Sequence, residues 1–105
     1  NVPYFTRESM AFLDGLLPDT GHLLTNLPSV DREQCGGTTP NHRIFWGAEV
    51  GVTKVAEVSR PQRMITELLC DTFAAEDGEY VLNLQVPAMD THAAPSRPLL
   101  YPFKK

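Results

Sequence analysis

Apolar side chains recur along this chain in four patterned stretches, separated by segments rich in proline, glycine and polar residues. In the first, Met10, Leu13 and Leu17 fall at helical spacing, with Phe12 and Leu16 on the same face. Thr6 stands where an N-cap is wanted and Glu8 lies in the first turn. Gly15 weakens the run and Pro18 ends it, so the pattern predicts a helix over about 7–17. In the second, Ile44, Trp46, Ala48, Val50 and Val52 alternate with Phe45, Gly47, Glu49 and Gly51, a period of two that predicts a strand. Beyond Val52 the period shifts to Val55 and Val58, the sign of a bulge, a turn or a second short strand.

The third stretch carries the strongest helical pattern. Met64, Ile65, Leu68, Leu69, Thr72 and Phe73 form one stripe, with Arg63, Glu67 and Asp71 on other faces. Ser59 is placed as an N-cap and Pro61 in the first turn, predicting a helix over about 60–75. After the Asp77-Gly78 turn, Tyr80, Leu82, Leu84 and Val86 alternate with Val81, Asn83 and Gln85 until Pro87, which predicts a strand over about 79–86.

These elements predict an α+β fold. At 105 residues the chain makes one small domain with a modest core. The helix at 60–75 would lie on a short sheet built from 44–58 and 79–86. An extended arm (1–6) precedes a body (7–87) that contains a long loop at 18–43, and an extended tail follows (88–105). Loops of that length are uncommon in compact domains and are often functional.

Charge separates the tail from the body. The formal net charge is -4, yet all 13 acids precede residue 91, and only Arg97, Lys104 and Lys105 are charged beyond it. An acidic body disfavours non-specific nucleic-acid binding, and no apolar run approaches a membrane span. Residue 1 is Asn rather than Met, so either a leader has been removed or earlier residues fall outside this numbering.

Candidate chemistry is sparse. Cys35 and Cys70 allow one disulfide or none. Cys35 and His42 share the long loop and define the sharpest catalytic candidate, a thiol with a nearby base, with Arg32 and Arg43 for charge and Asp31 or Glu33 to orient the imidazole. With His22 and His92 they lack the spacing of a zinc site, so neither a metal nor a cofactor is expected. The CGGTT run at Cys35–Thr39 lacks the following helix and lysine of a phosphate loop in this reading. Phe45, Trp46, Phe73 and Tyr80 sit among acids and read as core or interface rather than a base-stacking platform.

The ends carry the clearest hint of role. Leu99, Leu100, Tyr101 and Phe103 cluster in a tail stiffened by Pro98 and Pro102, and Tyr4 and Phe5 sit in the arm. Burying such side chains is worth roughly 1.5–3 kcal/mol each, against roughly 1–2 kcal/mol per residue to order the segment. The balance suits docking in a groove. The sequence therefore predicts a non-catalytic structural or accessory subunit of a larger protein assembly, anchored by Tyr4, Phe5, Leu99, Leu100, Tyr101 and Phe103, with Arg97, Lys104 and Lys105 meeting acidic groups. A processed chain of this kind suits an organelle such as the mitochondrion, or a virion. Two alternatives stand beside it: a small enzyme or metal protein using the Cys35–His42 loop, and a self-contained peptide-binding module.

Overall fold

The structure is a computed structural model that describes residues 2–70 and 75–103. It has an α+β architecture of two helices and two small sheets, divided into two compact units, Asn1–Asp71 and Thr72–Lys105.

The first helix, α1 (Arg7–Leu16), lies where the apolar spacing places it. Thr6 is extended and its hydroxyl accepts a bond from the Ser9 amide at 3.1 Å, an N-cap. The helix stops at Leu17, whose N–H still donates to the Leu13 carbonyl. Glu8 sits in the first turn, and bonds from its own backbone N–H and from the Thr6 side chain hold its carboxyl below the usual carboxylate range. A carboxyl depressed in the folded state adds stability above its unfolded pKa and loses it as pH falls through the folded one. In urea titrations from pH 7 to pH 2, Glu8→Gln should be less stable than the parent at neutral pH, and the gap should close in acid. A gap independent of pH would contradict the capping role.

The arm is held against this unit. The Phe5 amide donates to the Val30 carbonyl, and the Phe5 side chain packs on the core of Met10, Val30 and Phe45.

Residues 40–46, where the alternation predicted the start of a strand, form a second helix, α2 (Pro40–Trp46). Pro40 opens it with its fixed φ, and Gly47 closes it in the left-handed region at φ 63°. The Gly47 and Ala48 amides return to the Ile44 and Arg43 carbonyls. A Cβ at Gly47 would come within 2.9 Å of the Ser59 side chain, so position 47 suits glycine on both counts. Two turns of helix put Phe45 inside and leave Ile44 and Trp46 half-buried, an arrangement that reads as period two over a window this short. The remainder of 44–58 holds a single 3-10 turn, Val55–Glu57.

The helix expected over 60–75 is also absent from the described residues, of which 71–74 are not part. Residues 61 and 62 turn the chain, and Met64–Thr66 (β2) runs parallel to His22–Leu24 (β1). Pairing continues beyond the strands, where the Thr25 amide donates to Thr66, Leu68 to Leu27, and Leu69 to Thr25. Leu68 lies at φ 56°, outside helical space. Local helical preference is worth only tenths of a kcal/mol per residue, and it yields to Arg63, which is buried and drawn toward α1.

In the second unit, Tyr80–Gln85 (β3) forms the expected strand, and the tail supplies its partner. Arg97–Pro102 (β4) pairs antiparallel with β3, Tyr80 opposite Pro102 and Gln85 opposite Arg97. The proline-rich tail thus closes a two-stranded ribbon.

Candidate functional site

One largely buried polar cluster of the first unit is built around Asp31. It is 5% exposed, and its carboxylate accepts the Asn41 amide at 2.7 Å and, more weakly, the His42 amide at 3.4 Å. These are the second and third residues of α2, so Asp31 caps that helix from ten residues upstream. Thr39 occupies the N-cap position but makes no side-chain cap. Asp31 also receives His42 Nδ1 at 2.6 Å, which fixes the proton on that nitrogen, because a carboxylate can only accept. His42 Nε2 lies 3.6 Å from Glu67 Oε1, and the ring tilts against Trp46 at 5.4 Å. Glu67 in turn accepts the Val30 amide at 2.8 Å.

Asn41 completes the cluster. Its side-chain amide donates to the carbonyls of Phe5 at 2.6 Å and Val30 at 2.8 Å, joining the arm to the body. Facing two carbonyls fixes which atom is nitrogen, and the buried Oδ1 is left without a partner among the described residues.

A second cluster surrounds Arg63, which is 3% exposed. Its guanidinium bonds the Asp14 carboxylate and donates to the carbonyls of Leu17 at 2.8 Å, Pro18 at 3.1 Å and Phe45 at 3.0 Å. It also stacks over the Phe45 ring, 5.2 Å from its centroid. Arg60 reaches the same Asp14 at 2.9 Å and the Ile44 carbonyl at 2.9 Å. The planar fork of an arginine serves these divergent acceptors at once, as a lysine would not. The sequence reading missed this cluster, since Arg63 and Asp14 are separated by 49 positions and nothing local joins them.

Cys35 and His42 end up in different surroundings. Cys35 lines a cleft of about 450 Å³ with Tyr4, Arg7, Arg32 and Gln34. His42 is not among the lining residues of that cleft, and both of its ring nitrogens face carboxylates. The imidazole is therefore committed to Asp31 and Glu67, not turned toward the thiol. Of the two acids suggested to orient it, Asp31 does so. Neither Cys35 nor Cys70 forms a disulfide. Among the described residues no three His, Cys, Asp or Glu side chains are grouped to hold a metal, and no helix is long and apolar enough to cross a membrane.

The apolar residues singled out at the ends divide between the two units. Phe5 is half-buried against the core, and Tyr4 is 43% exposed with the Arg32 guanidinium over its ring. Arg97, Leu99, Leu100 and Tyr101 lie on β4, and the Phe103 amide extends the ladder by donating to the Glu79 carbonyl. Tyr101 and Phe103 are more than half exposed. Lys104 and Lys105 lie outside the described residues, as does Phe73.

Searches of protein-family models, curated proteins and solved structures found no match to this chain. The site must be read from its own geometry.

Proposed function

We propose that this chain is a non-catalytic structural component of a larger protein assembly, held through the ribbon of β3 and β4. One observation carries the reading: among the described residues of the second unit no side chain is buried, although Val81, Leu100, Tyr101 and Phe103 are large, apolar and exposed. A two-stranded ribbon is marginal in water without a further strand or a covering surface. The polar clusters of the first unit support the same reading. Asp31 caps a helix, Asn41 anchors the arm and Arg63 ties carbonyls together, so each has a structural task.

The test is hydrogen exchange of the dilute full chain. Amides 81, 83, 99 and 101 should exchange much faster than those of Phe45 and Trp46, and Tyr101→Ser with Phe103→Ser should reduce binding of a hydrophobic dye while leaving the first unit folded. Ribbon amides as protected as the core would overturn the reading. Fast alkylation of Cys35 near neutral pH, with a loss of some measured turnover in Cys35→Ala, would favour the enzyme alternative instead.

A further inference from the structure

The two outer edges of the ribbon differ, and the difference points to a partner. The Phe103 amide donates to the Glu79 carbonyl, which sets the alternation of the ladder. Given the register, the bonded pairs are then 81 with 101, 83 with 99 and 85 with 97. The N–H and C=O groups of 80, 82 and 84 on β3, and of 98, 100 and 102 on β4, point outward.

On β4 two of those three outward positions are Pro98 and Pro102. They have no N–H to offer, so that edge is blunted, as exposed edges commonly are. On β3 the outward positions are Tyr80, Leu82 and Leu84, all able to donate and accept. Their backbone groups make no hydrogen bond among the described residues outside the ribbon. The strand YVLNLQ contains no proline and no charge to repel a neighbour. Among the described residues one edge is blunted and the other is open.

We infer that the open edge of β3 pairs with β3 of a second copy of this chain, antiparallel about a two-fold axis. The inference rests on the reading of the ribbon as an interface and names its first partner. Its support is self-complementarity. Outward-facing residues can pair only with outward-facing residues, and the register that overlaps them fully sets Leu82 opposite Leu82 of the second copy. Tyr80 then faces Leu84 on the same side of the sheet, an aromatic–aliphatic pair. Val81 faces Asn83 on the other side, and Glu79 falls opposite Gln85, so no like charges meet. The product is a four-stranded sheet with strand order β4-β3-β3-β4. Its two outer edges carry the prolines, so the assembly closes at two copies. Four strands also exceed the minimum at which a small sheet is independently stable.

Sedimentation of the full chain across concentration tests this. The mass should rise from 11.7 kDa to twice that value with no larger species. Leu82→Lys, which sets two ammonium groups opposite each other, should weaken the dimer by about tenfold or more. Leu84→Pro should do the same while keeping the ribbon, because the lost N–H points outward. In a Cys35→Ser, Cys70→Ser background, Leu82→Cys should oxidise to a covalent dimer. A dimer indifferent to both Leu82→Lys and Leu84→Pro would overturn the inference. So would a monomer at every concentration. In that second case, unprotected amides at 80, 82 and 84 leave the ribbon awaiting a different protein, whereas protected ones defeat the interface reading as well.

Discussion

Arg63→Met should destabilise the first unit by about 3–5 kcal/mol, near the lower end of what three carbonyls losing a donor would cost at roughly 1–3 kcal/mol each. Asp14 keeps Arg60 at 2.9 Å, so its charge is not stranded. The loss falls instead on the carbonyls of Leu17, Pro18 and Phe45, which lose their donor, the Phe45 carbonyl in a buried bond and the other two in part-buried ones. With total stability of small domains about 5–15 kcal/mol, this substitution consumes a large part of it. Thermal unfolding followed by near-ultraviolet circular dichroism should show a midpoint lowered by more than about 10 °C. Arg63→Lys should recover only part of the loss, because an ammonium cannot span carbonyls on both sides of its stem. A midpoint within about 2 °C of the parent in Arg63→Met would show that the guanidinium contributes little net stability.

Asp31→Ala comes next, at about 2–4 kcal/mol, since it uncaps α2 and strands the buried Asn41 amide. Its companion variants tell the two tasks of this carboxylate apart. Asp31→Asn keeps an acceptor for the Asn41 amide and should restore roughly half of the stability. His42→Ala leaves the helix cap in place and should cost about 1 kcal/mol. Equal losses in Asp31→Ala and His42→Ala, measured by urea unfolding at neutral pH, would instead assign the stability to the Asp31–His42 pair and not to the cap.

The sequence made local elements legible and distant ones illegible. The helix over 7–17 follows from a cap, a stripe and a proline, all within a dozen residues, and the structure has it at Arg7–Leu16. The strand after the Asp77-Gly78 turn is likewise local. The misread elements are those decided by remote partners. Met64–Thr66 bears a helical stripe, yet it is drawn into a parallel pair by His22–Leu24, directly after Arg63, which is buried among the carbonyls it serves. Helix α2 was readable from Pro40 and Gly47, which bracket it as a start and a stop, but the alternation after Ile44 was the more conspicuous signal. The cluster around Asp31 could not be seen from spacing. Its acids, Asp31 and Glu67, stand far apart in sequence and carry no motif; His42 and Asp31, already paired as candidates, marked the place, while Glu67 and Asn41 did not stand out.

The bonds that Arg63, Met64 and Glu67 make to α1, β1 and Val30 all bridge separations of 37 to 49 residues. Such closures surrender chain entropy before any contact repays it, which slows the search. During synthesis α1 can form early, but Phe45 cannot acquire its arginine, nor β1 its neighbour, until residues 63–67 have left the ribosome. The first unit therefore completes late and all together, and a chain cut anywhere before Glu67 should be an unfinished one rather than a smaller version of the same fold.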